Sequence, residues 1–145
     1  EVAVVAGLLH DIGVIVLLER LQQRYASIRT RAFENREPLV IAEQQALGFT
    51  HCTIGALLAE RWHFPAIYRT VLGSHHDPVI PETISEISAI CLLVQLADKL
   101  AIDAGIGFEI PTEIDESQIC HALGIEESSL KQVKEHVLSM TDFNI

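Results

Sequence analysis

Apolar residues recur every three or four positions along almost the whole chain, which is the spacing of one face of an α-helix. The longest such segment spans 83–104, and its stripe is formed by Ile84, Ile87, Cys91, Val94, Asp98 and Ala101. Alternation of the kind found in β-strands does not persist beyond a few residues, and GFEI at 107–110 is the one strand candidate. We therefore predict an all-α fold.

Capping and turn residues divide this pattern into separate helices. Pro38 suits a helix start, Thr50 suits an N-cap, and Gly48 and Gly124 suit helix ends. Gly13 is predicted to interrupt the first apolar stretch. The predicted helices cover 2–11, 14–34, 38–47, 51–62, 65–76, 83–104, 116–123 and 127–140.

The start of the chain and the connection after residue 104 each predict something about the organisation of the protein. The chain opens inside an apolar stretch that has neither a cap nor a polar lead-in, so we expect a fragment of a longer protein that lacks N-terminal helices. Apolar surface left uncovered in this way favours a homodimer or another protein partner. We expect residues 1–104 to form a helical core, and residues 105–145 to form a connection and helices packed on that core.

Composition and charge limit the class of protein. With 145 residues, 49% of them hydrophobic, the chain fits one globular domain. Its formal net charge of -10 repels a phosphate backbone, which argues against a nucleic-acid partner. Apolar runs such as 14–18 are too short to span a bilayer and no signal peptide is recognised, so we expect no membrane association. Three cysteines without a CxxC pair suit the reducing cytoplasm, and we expect them to be small buried hydrophobic side chains.

Several ionisable side chains lie where the helical pattern predicts burial. Asp98 lies on the apolar stripe of the longest helix, and His51 and His75 lie on the apolar faces of two others. A buried carboxylate is costly without a partner, so Asp98 requires a metal, a histidine, a lysine or backbone donors. His10 and Asp11 are adjacent, and two adjacent side chains can ligate one ion where a helix ends.

Two interpretations of these side chains are open. A single histidine on an apolar face is more often a satisfied core residue than a ligand, and histidines at a helix C-terminus are favoured by the helix dipole. A set drawn from four helices instead suits one or two divalent Fe, Mn or Zn ions, with imidazole and carboxylate ligands. The candidate metal ligands are His10, Asp11, His51, His75, His76 and Asp98. The histidines outside this pattern are His63, His121 and His136.

Four segments of the chain resemble one family. GLLHDIG at 7–13, EQQALGFTHCTIGALLAERWHFP at 43–65, GSHHDP at 73–78 and LADKLA at 96–101 are similar to the HDOD subfamily of the HD superfamily of metal-dependent phosphohydrolases. The resemblance implies an HD-domain-like helical bundle and a bacterial signalling module, often fused to receiver, GGDEF or EAL domains, for which no general enzymatic activity is established. It also implies that the candidate ligands correspond to the metal set of the superfamily, with His10 and Asp11 as the HD pair and Asp98 as the closing carboxylate.

Three departures from the superfamily pattern weaken a catalytic interpretation. The superfamily's first ligand lies upstream of the HD pair, whereas no histidine precedes His10 in this chain. The lysine that often follows HDIG in active relatives is replaced by Val14. No GYP-type loop follows the His-His pair, which disfavours hydrolysis of cyclic di-GMP.

The sequence therefore supports two functions from different classes. The first is a non-catalytic regulatory module, in which the polar cluster is a structural metal site or a hydrogen-bonded network in the core. The second is a metal-dependent phosphohydrolase of a phosphate ester or nucleotide, in which Asp11 is the catalytic residue that binds the metal or orients the attacking water. That reaction needs a cation near the phosphate, and Lys99 and Arg69 are the candidates in this sequence. The three departures favour the regulatory module.

Overall fold

The computed structural model describes residues 1–77, 80–107 and 114–141, and the described residues form nine α-helices and no strand. The helices are α1 (Val2–Leu9), α2 (Ile12–Leu21), α3 (Gln23–Asn35), α4 (Leu39–Leu47), α5 (His51–Arg61), α6 (Ala66–Ser74), α7 (Glu86–Asp103), α8 (Glu116–Leu123) and α9 (Glu127–Thr141). The all-α prediction is confirmed. Of the strand candidate GFEI, residues 108–110 lie outside the described residues.

The N-terminal half differs from the prediction at two chain breaks. The first break is the turn at His10 and Asp11, whereas Gly13 lies inside α2 and does not interrupt a helix. The single helix predicted at 14–34 is wrong, because the chain turns between α2 and α3 at Gln22, which has a φ of 42°. A side chain other than glycine adopts this φ at a cost, and the sequence has neither Gly nor Pro there to signal the break.

The predicted helix ends are confirmed where a cap defines them. Gly48 and Gly124 end α4 and α8 in the left-handed conformation, with φ values of 79° and 66°. The Thr50 side chain accepts a hydrogen bond from the backbone N–H of Thr53 and so caps α5. Local chemistry therefore fixes where His51 begins its helix, and with it the direction of the His51 side chain.

The buried apolar side chains of the described residues form three clusters. The first joins α2, α3 and α4 around Tyr25, and the second joins α1, α6 and α7 around Ala6 and Val71. The third joins α7 and α8 around Leu96 and Ile119. Helix α5 packs on α6 and α2 and so links the first cluster to the second. The α1–α2 turn, the start of α5, the end of α6 and the middle of α7 consequently meet at one place.

The segment Val2–Leu21 meets a length and composition test for a membrane-spanning helix, with a mean hydropathy of 2.1. The apolar segment is therefore longer than short runs such as 14–18, which the sequence analysis considered one at a time. Core helices of soluble proteins pass the same test, and this segment is broken by the turn at His10 and Asp11. Only 17% of the 18-residue apolar stretch within this segment is buried in the structure. The absence of membrane association stays a prediction.

Gly13 allows α2 to lie unusually close to α5. A Cβ atom at this position would lie 2.0 Å from the backbone oxygen of His51 and 3.1 Å from the backbone nitrogen of Gly55. These are backbone atoms, so they cannot move aside as a flexible side chain would. The contact sets the distance between the HD pair and His51.

We expect Gly13→Ala to lower the free energy of unfolding by about 1–3 kcal/mol, because the added methyl group overpacks this contact. Gly7→Ala is the matched control, since no described atom beyond the neighbouring residues and the backbone of its own helix lies within 4 Å of a Cβ atom at Gly7. In that helix, alanine is favoured over glycine by up to about 1 kcal/mol. Urea unfolding measures both changes, and equal midpoints for the two variants would show that the close approach does not matter.

Candidate metal centre

The six predicted ligands come together from four parts of the fold. His10 and Asp11 form the turn between α1 and α2, and His51 is the first residue of α5. His75 and His76 follow α6, and their ring centroids are 4.3 Å apart. Asp98 lies on α7 and reaches the cluster through His10, whose Nε2 is 3.6 Å from Asp98 Oδ1. We call this group the histidine cluster. That its members ligate a metal stays a prediction.

Three ligand atoms of the histidine cluster form a small triangle. His51 Nε2 lies 3.3 Å from His75 Nε2, and Asp11 Oδ1 lies 3.4 Å from the former and 3.3 Å from the latter. Ligand atoms bound to a tetrahedral ion at about 2.0–2.1 Å are about 3.3–3.4 Å apart, because a tetrahedron's edge is about 1.63 times its centre-to-corner distance. The triangle therefore has the dimensions of three corners of a tetrahedral metal site.

Backbone carbonyls hold two of the histidine rings in the orientation that metal binding requires. His10 Nδ1 is 2.7 Å from the oxygen of Gly7, and His75 Nδ1 is 3.2 Å from the oxygens of Val71 and Leu72. Carbonyl oxygens only accept hydrogen bonds, so Nδ1 of each ring carries the proton. Each Nε2 is thereby left to face the cluster, as in histidine ligands oriented by a second partner.

A buried carboxylate, which the sequence analysis missed, orients the third ring. Glu43 on α4 is completely buried, and its Oε2 accepts hydrogen bonds from His51 Nδ1 at 2.9 Å and from the His51 backbone N–H at 2.8 Å. The Tyr25 hydroxyl of α3 donates to Glu43 Oε1. Glu43 lies four residues after the buried Leu39, so a carboxylate on an apolar helical face was the signal that could have identified it.

On the HD pair, two buried atoms have no hydrogen-bond partner among the described residues. They are His10 Nε2 and Asp11 Oδ1, and both point toward the cluster. A buried polar atom without a partner is costly and calls for an explanation such as an ion. Both atoms are also suitable donors to a divalent metal, so the residues present fit such an ion.

Burial and neighbouring ionisable groups shift the pKa values in the histidine cluster. Burial opposes charge on His51 and His75, but their interactions with Cys52, Glu43 and Asp11 raise the pKa of both rings. Burial likewise opposes charge on Asp11, but the neighbouring histidines hold the pKa of its carboxyl well below the usual value. Burial and the charge of the adjacent rings lower the pKa of His76. A metal ion must therefore displace protons from His51 and His75, and its uptake releases protons.

The sequence predicts Cys52 to be a small buried hydrophobic side chain. In the structure it is buried, but it lies beside polar histidine rings. All three cysteines are buried, as predicted. Cys52 Sγ, however, lies 4.0 Å from both ring nitrogens of His75. Burial raises the pKa of a thiol, but interactions with His51 and His75 outweigh it and lower the pKa of Cys52. Its position beside His51 in the sequence was the available signal.

The two cations proposed for a phosphate site are engaged elsewhere. Lys99 Nζ lies 2.6 Å from Asp103 and 3.4 Å from Glu116, which joins α7 to α8. Arg69 and Glu60 form an exposed ion pair at 3.9 Å. The histidines excluded from the pattern, His63, His121 and His136, are exposed in the structure.

We expect His75→Ala to lose the metal of the histidine cluster, because it removes one corner of the triangle. His136→Ala, on the exposed face of α9, is the matched control and should retain it. Inductively coupled plasma mass spectrometry on protein purified without an affinity tag measures the content. Equal metal in His75→Ala and wild type would place any bound ion outside this cluster.

Glu43→Gln is expected to weaken metal binding about 10–100-fold, the usual effect of losing a partner that orients a histidine ligand. Tyr25→Phe removes one hydrogen bond to the same carboxylate, so we expect a smaller loss in the same direction. Glu60→Gln is the control, because Glu60 is an exposed carboxylate remote from His51 in the ion pair with Arg69. Competition with a chelator indicator gives the three dissociation constants, and unchanged affinity in Glu43→Gln would contradict the orienting role.

Comparison with known proteins gives one family. A model of the HDOD domain matches residues 1–78, just over half of the chain, and this region contains every candidate ligand except Asp98. No curated protein and no solved structure matches the chain. The match covers three of the four resembling segments, while LADKLA at 96–101 lies beyond it, and it agrees with the helical fold. The chain belongs to the HDOD domain family.

Proposed function

We propose that this chain is a bacterial, cytoplasmic, signal-transduction regulatory module of the HDOD type that is not an enzyme. Its histidine cluster holds a structural divalent ion, Fe, Mn or Zn. The observation that carries the proposal is that groups inside the core orient the rings of the cluster. His51, His75 and Glu43 are all buried. An ion bound there would link the α1–α2 turn to α5, α6 and α7, so the packing of these elements would depend on it.

The charges around the histidine cluster support a non-catalytic role. Lys99 and Arg69 are paired with carboxylates elsewhere in the described structure and do not face the cluster. Val14, at the position where active relatives often carry a lysine, is buried in the apolar cluster around Tyr25. Phosphoryl transfer depends on positive charge placed at the phosphate, and these three positions do not provide it.

The alternative function is a metal-dependent phosphohydrolase of a phosphate ester or nucleotide. One observation favours it, because the Asp11 side chain is 40% exposed and the histidine cluster is therefore open to solvent on that side. A bound ion would supply an activated water there. Asp11 would then hold the ion or orient that water.

An apolar surface supports the partner that we propose for this module. Val4 and Leu8, four residues apart on α1, are exposed by 75% and 83%, and Ile15 on α2 is exposed by 66%. Large exposed apolar patches mark interaction sites in soluble proteins. The proposed occupant is a protein partner, a fused signalling domain or a second copy of the chain, and neither nucleic acid nor a membrane.

The proposed division of the chain rests on the packing of its C-terminal helices. Ile119 and Cys120 of α8 pack against Leu92, Leu96 and Leu100 of α7. Lys99 on α7 also contacts Glu116 of α8. We therefore retain residues 1–104 as the HD-like core and residues 105–145 as a connection with helices packed on it.

We expect a divalent ion to stabilise the chelator-treated protein without conferring hydrolysis. An ion at one hundred times its dissociation constant adds about 2.7 kcal/mol, which raises Tm by roughly 5–10 °C for a chain of this size. Calorimetry with Zn²⁺, Mn²⁺ or Fe²⁺ measures the shift. Assays with p-nitrophenyl phosphate, bis(p-nitrophenyl) phosphate and nucleotides measure hydrolysis.

His75→Ala is the control for both measurements, and it should lose the shift in Tm because it removes a buried histidine of the cluster. Its hydrolysis rate should equal that of the wild type at the level of buffer and metal alone. Hydrolysis that requires the metal and disappears in Asp11→Ala would establish the phosphohydrolase instead. A wild type whose Tm responds to none of the ions would overturn the structural metal.

A further inference from the structure

We infer that the histidine cluster binds its ion through the sulfur of Cys52, as a closed nitrogen and sulfur site of the kind preferred by Zn²⁺. This inference rests on the proposed function and deepens it by naming a ligand and a class of ion. It adds a residue that lies outside the six predicted ligands. It also favours one of two donor sets that share His75.

The two donor sets lie side by side. One consists of His10, Asp11 and His75, and the other of His51, Cys52, His75 and His76. Within each set, every residue offers one ligand atom, and these atoms all lie within 4.8 Å of one another. The second set has four members and the first has three, so only the second can complete a tetrahedron without a ligand from solvent.

Burial also favours the set that contains Cys52. His51, Cys52 and His75 are all buried, whereas His10 and Asp11 are partly exposed. Cys52 Sγ lies 4.0 Å from His75 Nε2, and sulfur and nitrogen ligands of a tetrahedral zinc ion are about 3.6 Å apart. A small shift therefore brings sulfur into the site, and within the described part of the chain neither of the other two cysteines has a hydrogen-bond contact with a histidine ring. Cys91 is near Ser74, and Cys120 lies in the apolar cluster between α7 and α8.

Sulfur changes which metal the site accepts. Thiolate is a soft ligand that favours zinc and similar ions over Mn²⁺ and Mg²⁺, which prefer oxygen. On binding, the Cys52 thiol releases its proton to solvent and the sulfur forms a bond to the ion. Four protein ligands leave no open position, which is the arrangement of structural zinc sites and agrees with a module that does not hydrolyse phosphate esters.

Cobalt(II) replaces zinc in such sites and reports the bound sulfur directly, so we would titrate the chelator-treated full chain with Co²⁺. We expect a sulfur-to-cobalt charge-transfer band in the near ultraviolet, with a stoichiometry of one cobalt per chain by equilibrium dialysis. The band should persist in the double variant Cys91→Ala/Cys120→Ala, which retains Cys52 as its single cysteine. It should be absent in Cys52→Ser. The double variant keeps the test decisive if Cys52→Ser does not fold.

Zinc affinity gives a second measurement. Losing a partner outside the coordination shell weakens metal binding by up to about 100-fold. Because Cys52 would be a ligand, we expect Cys52→Ser to weaken Zn²⁺ binding by at least about 100-fold. Binding of Mn²⁺ should change much less, because sulfur contributes little to it.

Three results would count against the inference in distinguishable ways. Cobalt bound without a charge-transfer band would overturn the role of Cys52 and leave the metal site of the proposed function intact. A band that survives in Cys52→Ser but is lost in the double variant would assign the sulfur to another cysteine and overturn the inference. No cobalt, zinc, manganese or iron bound by dialysis would overturn both this inference and the proposed function.

Discussion

The buried contact between Glu43 and His51 is the interaction on which the rest of this structure depends. The carboxylate is completely buried and accepts hydrogen bonds from the Tyr25 hydroxyl, the His51 ring and the His51 backbone N–H. Burying a carboxylate is expensive, and hydrogen bonds to the ionised form offset that cost. The three donors come from α3 and α5 and the acceptor from α4, so the polar contact attaches the start of α5 to two of the helices, α3 and α4, that the apolar cluster around Tyr25 joins. It also fixes which nitrogen of His51 faces the histidine cluster.

The histidine cluster occupies a place where an ordinary domain would continue its apolar core. Gly13 brings α2 against the first turn of α5, and the carbonyls of Gly7, Val71 and Leu72 orient the rings that approach from α1 and α6. The rings of His10 and His75 are thus each oriented by carbonyls of the helix that precedes them, whether or not an ion is bound. Such preorganisation lowers the cost of binding an ion, because the donors need not be ordered at that moment.

The sequence predicted most helices because the helical pattern is local, and it drew attention to six residues that the structure brings together because ionisable residues in apolar helical segments are conspicuous. It did not predict the break at Gln22, which has a φ of 42° with neither Gly nor Pro there to signal it. It also gave no role to Glu43 or Cys52. Their roles depend on contacts with His51 and His75, and the sequence distances of 8 and 23 residues place those contacts beyond any helical period. The fold class was therefore predictable, whereas the hydrogen bonds that orient the ligands required the structure.

The charges of the histidine cluster explain why a divalent ion suits it better than protons do. Without a metal, the raised pKa of His51 and His75 places protons on two rings whose Nε2 atoms are only 3.3 Å apart. Those positive charges repel each other, and the low dielectric of the core strengthens the repulsion. An ion bound between His51 Nε2 and His75 Nε2 places the positive charge between the nitrogens and near Asp11 Oδ1, which lies 3.4 Å from the first and 3.3 Å from the second. The same carboxylates that attract protons in the metal-free state therefore attract the ion, so metal binding and the packing of α1, α2, α5 and α6 are coupled through one set of atoms.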